Sequence, residues 1–322
     1  MTVTDASRGG SAAAPPRPTS APPDAGRRAR ARRRRRDHLL FVAFAAPNFF
    51  FLLVFAYWPV IYNGYLSLTD WDMISPAKKF VGLSNYADLL ADPDFRGTLW
   101  TTVLFVVGIV VGGMVLGLAT ALLLNQKLRG TRAVRTLTFA PYVLSGAAVG
   151  TLWLFVFDPN YGLIRPLLAP LGLTAPAMMT DSKWALFGLV VVYLWKNIGF
   201  VAVVYLAGLQ SLPRDVYEAA ALDGASAWTR LRRITVPLLS PVTFFLLVTS
   251  VITTFQAFDV IAVMTGGGPG TSTSILSWFI YDQGFRAFDA GRSAAGAMIM
   301  FVVLLLITGL QARYLERKVH YQ

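Results

Sequence analysis

The polar and apolar positions of this chain do not alternate. They fall into six long, mostly apolar stretches separated by shorter polar ones. The stretches run over residues 39–61, 99–124, 134–157, 184–209, 238–263 and 294–314. A helix needs about 20 apolar residues to cross a bilayer, and each stretch is long enough. The strand-and-helix alternation of a soluble α/β protein is missing. The pattern predicts an all-α fold: a polytopic transmembrane bundle of six spans, with residues 39–322 as the membrane domain.

The Lys and Arg residues set an orientation. If the N-terminal segment is cytoplasmic, 21 of the 29 Lys and Arg fall on the inner side and 7 on the outer. Lys196 is left within a span. Cationic residues gather on the cytoplasmic side of membrane proteins. Six spans with both termini cytoplasmic satisfy that rule. Residues 1–38 hold ten arginines behind an Ala/Pro/Ser-rich approach. Such a segment cannot bury a core, so we expect a disordered basic cytoplasmic tail over 1–38. With a span directly behind it, the tail reads as fixing orientation, in preference to contact with anionic lipid or nucleic acid, while the spans are what meet the lipid bilayer. Nucleic acid is not its expected partner.

Composition narrows the chemistry. Apolar residues make up 55% of the chain and charged residues 14%, and the mean hydropathy is +0.54. There are no cysteines, and the two histidines, His38 and His320, lie at the chain's margins. Thiolate metal sites, disulfides and histidine-based catalysis are therefore excluded. A membrane-embedded enzyme has no cluster to work with, so we expect a transporter and no metal site.

One polar segment between two spans reads as folded. "EAAALDGASAWTRLRRITVP", residues 218–237, holds one of only two glutamates in the chain. Ser211 and Pro213 read as a helix start, with Ala219, Ala220 and Ala221 as good helix formers behind them. Gly224 supplies a bend, and Ser226 reads as a second N-cap. Ala227, Leu231, Ile234 and Leu238 form an apolar stripe. Small alanines flanked by Glu218 and Asp223 suit close approach by another protein. An amphipathic helix lying on lipid headgroups is the competing reading.

That segment resembles the EAA motif of ABC importer permeases. The motif positions are Glu218, Ala219, Ala220, Gly224, Ile234 and Pro237, with Val236 where leucine is usual. "FVGLSNYADLL" (80–90) and "FDVIAVMTGGGPG" (258–270) resemble the carbohydrate-uptake members of that family. The C-terminal part is similar to the first permease of glycerol-3-phosphate importers. The resemblance implies a type I importer permease fold and a coupling loop over 211–237. Glu218, Ala219, Ala220, Asp223, Gly224 and Pro237 would then meet a separate ATPase. It also implies a second permease subunit in a heterodimer, an ATP-binding cassette ATPase dimer and an extracytoplasmic solute-binding protein. ATP and Mg would sit on the ATPase, with no cofactor on this chain. The expected location is the bacterial cell membrane and the expected cargo a sugar or polyol.

Four polar residues within spans are candidates for the translocation path. Lys196, in "LWKNIGF", lies about 12 residues into the fourth span, near mid-membrane, where a lysine faces a cavity or a partner. Asn197 is its neighbour. Gln256 and Asp259 lie in the fifth span beside Phe255 and Phe258, a mixture of hydroxyl-binding and aromatic groups that suits sugar rings. The bland alternatives are a structural ion pair or a snorkelling lysine, and an interfacial aromatic belt. The glycine-rich run 265–274 lacks the lysine of a phosphate loop and reads as a flexible outer loop. A secondary transporter or channel is the alternative function. It would call for paired Gly/Pro-broken helices, which the hydropathy pattern does not show.

Overall fold

The structure is a computed structural model that describes residues 23–126, 130–172, 174 and 176–315. Residues 1–60 and 61–322 form two units. In the first, helix α1 covers Pro23–Leu52 and continues through a π-helical turn, Leu53–Tyr57. The expected tail boundary at residue 38 is therefore no element boundary, since α1 starts at Pro23. Residues 1–22 lie outside the described residues.

Helix α2, Trp58–Leu66, leads into the second unit. A two-residue antiparallel ladder follows, Thr69–Asp70 against Lys79–Phe80. It is the one departure from an all-α fold among the described residues. Then come α3 (Ser84–Ala91), α4 (Pro93–Leu124), α5 (Thr131–Val143), α6 (Gly146–Phe157), α7 (Ile164–Leu168) and α8 (Ser182–Ser211). The loop side holds α9 (Arg214–Leu222), α10 (Ala227–Arg230) and α11 (Val236–Leu238). Helices α12 (Ser240–Phe255), α13 (Asp259–Met264), α14 (Leu276–Tyr281) and α15 (Ala290–Leu315) complete the chain.

Among the described residues five helical runs are long and apolar enough to cross a membrane: His38–Leu66, Pro93–Leu124, Ser182–Ser211, Ser240–Met264 and Ala290–Arg313. A sixth crossing exists if the bent pair α5 and α6 is one span. The two helices meet at 103°. Pro141 has no N–H to continue the ladder, and Leu144 is extended. Ser145 then caps a new helix, accepting from the Ala148 N–H at 3.3 Å.

The fifth expected span is also interrupted. α12 stops at Phe255, and α13 starts at Asp259. The expectation of unbroken spans is thus overturned at two places. Non-helical backbone at membrane depth is tolerated only inside protein or along a cavity.

Helices α4 and α8 form the central pair. Small residues let helix backbones approach in a membrane. Gly108, Gly112 and Gly117 of α4 lie against Val190, Leu194 and Val201 of α8. A Cβ on Gly117 would come within 2.8 Å of the Val201 Cβ. One buried cluster, including Phe105, Val149, Leu189, Val260 and Ile275, joins α4, α6, α8 and α13.

The glycine-rich run is packed, which corrects the flexible-loop expectation. Thr273 is fully buried, with its hydroxyl 2.7 Å from the Gly268 carbonyl and 2.8 Å from the Thr265 hydroxyl. Turn-forming residues mark where the chain turns, and the turn here is folded inward.

Asp92 ties the start of α4 to α15. Its carboxylate caps α4, accepting from the Asp94 N–H at 2.9 Å, and pairs with Arg292 at 2.8 Å. Burial works against its ionisation. The Asp94 N–H and the Arg292 guanidinium outweigh that, so its pKa lies below the ordinary 3.8. The stability they supply is present above the unfolded value and is lost as pH falls through the lower folded one. Asp92→Ala should cost about 1–2 kcal/mol at neutral pH, most of it the cap, because the pair is partly solvent-screened. Thermal unfolding of the detergent-solubilised protein measures it. Asp92→Asn should keep the cap and lose less.

Candidate functional site

The four path candidates meet in one cavity. It measures about 410 Å³ and is lined by Lys196, Asn197, Gln256 and Asp259, together with Tyr142, Tyr193, Phe200 and Thr253. The lining on α8 follows helical periodicity. Tyr193, Lys196, Asn197, Phe200 and Val201 fall at i, i+3, i+4, i+7 and i+8, one face of the helix. The two breaks supply the rest: Tyr142 stands beside the first, and Gln256, Ala257 and Asp259 form the second.

Lys196 is half-buried, with its Nζ 5.8 Å from the centre of the Tyr142 ring. A cation over an aromatic face is stabilised by the ring's quadrupole. The ion pairs found among the described residues are Arg286–Asp282 and Arg292–Asp92, so Lys196 and Asp259 share the cavity without pairing. The Asn197 amide donates to the Tyr193 carbonyl at 2.8 Å, which fixes its orientation on the helix. Thr249 and Thr253 turn their hydroxyls back to the carbonyls of Phe245 and Thr249, at 2.8 and 2.9 Å. The hydroxyl oxygens keep acceptor capacity toward the cavity.

The aromatic wall differs from the expected one. Phe255 is buried among Val106, Val110 and Val251, and Phe258 stacks on Trp278 with 5.9 Å between centroids. Neither lines the cavity. Tyr142 and Phe200 do, stacked at 4.9 Å and 16°. The expectation failed because it assumed a continuous helix through 255–259. Two signals were available: the Tyr193–Phe200 spacing around Lys196, and the pair Thr249 and Thr253 inside an apolar span.

The segment 211–237 is folded as two short helices about a turn. Ser211 does not begin the first one. It ends α8, its hydroxyl donating to the Gly208 carbonyl at 2.8 Å, and α9 starts at Arg214 behind Pro213. At the bend Gly224 has φ +70°. The Gly224 N–H bonds the Ala221 carbonyl and the Ala225 N–H bonds the Ala220 carbonyl, at 3.1 and 3.0 Å. This pair of bonds is a Schellman cap, whose left-handed residue is best filled by glycine. Ser226 caps the next helix as expected, accepting from the Thr229 N–H at 3.2 Å.

Glu218, Ala219, Asp223, Gly224 and Pro237 are exposed, while Ala220 is buried. The apolar stripe is only half realised, with Leu231 and Ile234 half-buried and Ala227 and Leu238 exposed. Tyr217 and Thr235 share a hydrogen bond of 2.9 Å that clasps the two arms. Glu218 lines a second cavity of about 880 Å³ with Arg135, Arg214 and Gln126. At the bend, Leu222 is 89% exposed and Trp228 69% exposed.

Among the described residues no group of three or more His, Asp or Glu could hold a metal ion.

A family model described as the binding-protein-dependent transport system inner membrane component matches residues 113–321. The chain belongs to this family. The matched region contains both breaks, all four cavity candidates and the whole of 211–237. Among relatives, the sn-glycerol-3-phosphate transport system permease protein UgpA of Yersinia pestis is 37% identical over 277 residues. That alignment covers 86% of this chain and 94% of the relative. A probable ABC transporter permease of Pyrococcus horikoshii is 36% identical, covering 83% and 92%. In the crystal structure of a bacterial ABC transporter that imports the acidic polysaccharide alginate, one chain superposes with a TM-score of 0.76 at 25% identity. The match covers 89% of this chain and 98% of that one.

This permease is therefore an inner-membrane transport component and not an enzyme. Membership also sets aside a secondary transporter or channel. Broken helices do not distinguish those classes after all, because this permease has two.

Proposed function

We propose that this permease carries a carbohydrate or related polyol across the membrane, and that Lys196 favours a solute with negative charge. The supporting observation is the cavity: an ammonium group, an amide and hydroxyls line it together with the stacked Tyr142 and Phe200. Sugars offer hydroxyls to the first set and CH faces to the second. The relatives named for sn-glycerol-3-phosphate and for alginate are consistent with that chemistry. In this reading Lys196, Asn197 and Gln256 meet the solute.

The assembly is that of the family. A second, similar permease completes the path as a heterodimer, and an extracytoplasmic binding protein delivers the solute. A pair of ATPases, holding ATP and Mg, docks on 211–237 through Glu218, Ala219, Asp223, Gly224 and Pro237, while the buried Ala220 supports that face from within. The chain crosses six times with both termini cytoplasmic, counting α5 and α6 as one crossing. Residues 1–38 form a basic cytoplasmic tail ahead of the membrane domain, 39–322. The Lys and Arg tally supports this orientation.

Uptake into vesicles bearing the complete complex tests the proposal. Lys196→Met should raise the KM for glycerol 3-phosphate or an acidic sugar about tenfold and leave a neutral sugar within about twofold. Equal effects on both would remove the charge preference, and no uptake of either class by the wild-type complex would remove the solute class. In the same vesicles, a thiol reagent confined to the cytoplasmic face should label Ala225→Cys; labelling from the opposite face alone would reverse the topology.

A further inference from the structure

The two breaks are joined to each other. Helix α13 lies along α6, with Asp259 and Val263 facing Gly146 and Gly150. Both pairs are four residues apart, one helical turn, so the two faces run in register. A Cβ on Gly146 would overlap the Asp259 carboxylate, and one on Gly150 would lie 3.1 Å from the Val263 Cβ. Glycine is what allows the carboxylate to sit there.

The seat has electrostatic logic. Gly146 is the first residue of α6, where the helix dipole favours negative charge. Tyr193 of the unbroken α8 donates its hydroxyl to Asp259 Oδ1 at 3.3 Å. The same oxygen accepts from the Val260 N–H at 3.0 Å, at the start of α13. Asp259 thus touches the start of each helix beyond a break and the continuous helix beside them. A carboxylate at membrane depth is costly and needs such partners.

We propose that Asp259 is a positioning residue of the transport cycle. Its carboxylate, seated on Gly146 and held by Tyr193, fastens α6 to α13, so that the segments beyond the two breaks move as one body. Asp259 then acts through the helices and not on the solute. The proposal uses the reading above only for the choice of assay.

The chain has no cysteine, so an introduced pair has no rival within it. Gly150→Cys with Val263→Cys needs a shift of a few tenths of an ångström to reach the Cβ separation of a disulfide, about 3.5–4.5 Å. Uptake is measured in proteoliposomes holding the complete importer, before and after oxidation.

Asp259→Ala should lower uptake about tenfold with little change in the KM for loaded binding protein. The oxidised pair in the wild-type background should keep uptake within about twofold of the reduced pair. In the Asp259→Ala background, oxidation should restore most of the lost uptake, and reductant should remove it again. A disulfide that blocks uptake in the wild-type background overturns the proposal, because the segments must then separate. Failure of oxidation to rescue Asp259→Ala also overturns it, because Asp259 then works at the solute.

If the cysteine pair does not assemble, Asp259→Asn and Gly146→Ala carry the test as a double-mutant cycle. Losses that fail to add are expected, and additive losses refute the pin. The assay uses whatever solute the binding protein retains. A solute that is not a carbohydrate or polyol would sink the assignment above and leave the rescue test intact.

Discussion

Gly224→Val should leave the permease in the membrane and reduce uptake by more than about tenfold, to background in most assays. The argument rests on the backbone. Gly224 has φ +70°, and among the described residues beyond its two chain neighbours nothing lies within 4 Å of a Cβ built there. The substitution therefore makes no clash within this protein. It makes strain, because a non-glycine residue in the left-handed region costs about 1–2 kcal/mol, and a β-branched one more.

The strain is relieved by opening the Schellman cap. The angle between α9 and α10 then changes, and with it the placement of Leu222 and Trp228. Gly224→Asn should stay close to wild type, since asparagine tolerates this conformation. Uptake per assembled complex is the measurement. Unchanged uptake by the valine variant, with normal assembly, would refute the coupling role proposed for 211–237.

A larger loss of stability is expected at Gly199. Its Cα faces the Thr138 carbonyl where α5 crosses α8. A Cβ there would overlap the carbonyl oxygen and lie 2.7 Å from the Thr138 carbonyl carbon and 2.8 Å from the Phe139 Cα. These are backbone atoms and cannot rotate aside. Gly199→Leu must push the two helices apart, which should cost about 3 kcal/mol or more. The yield of assembled complex should fall severalfold, and the thermal midpoint should drop in what remains. Gly108→Ala is the contrast. Its Cβ would meet only the tips of Val190, the nearest at 3.4 Å, and should be accommodated. Equal yields for the two variants would contradict the packing described.

Much of this was legible in the sequence, for identifiable reasons. Hydropathy found the apolar runs because a membrane span must be apolar over its whole length. It missed the breaks because Pro141, Ser145 and Gly146 are too few polar or special residues to lower a window average. The cap at Ser145 was there to be read, just as it was at Ser226. Lys196, Asn197, Gln256 and Asp259 were found because polar side chains are rare at that depth. The aromatic wall was misassigned. Phe255, Phe258 and Asp259 would share a face on an unbroken helix, and the turn at 256–258 sends the two rings into separate clusters. Tyr142 comes from a different span, so no local pattern could pair it with Phe200. At 211–237 the bend was readable from Gly224, while the inward burial of Ala220 depended on tertiary packing.

The run 265–274, anchored by the buried Thr273 and Ser274, bears on how this permease can be handled. Glycine-rich stretches between hydrophobic segments are the usual choice for inserting an epitope, a reporter or a protease site. Here such an insertion would pull Thr273 and Ser274 out of the interior and part the Thr98–Ser274 hydrogen bond to α4. The turn at 158–162 is the better choice. Tyr161 stands 83% exposed there, and the Asp158 carboxylate holds the turn through the N–H groups of Asn160 and Tyr161. A tag placed after Tyr161 keeps the Asn160 and Tyr161 N–H bonds and the cavity walls, and parts one bond of the turn, from the Gly162 N–H to the Asp158 carbonyl.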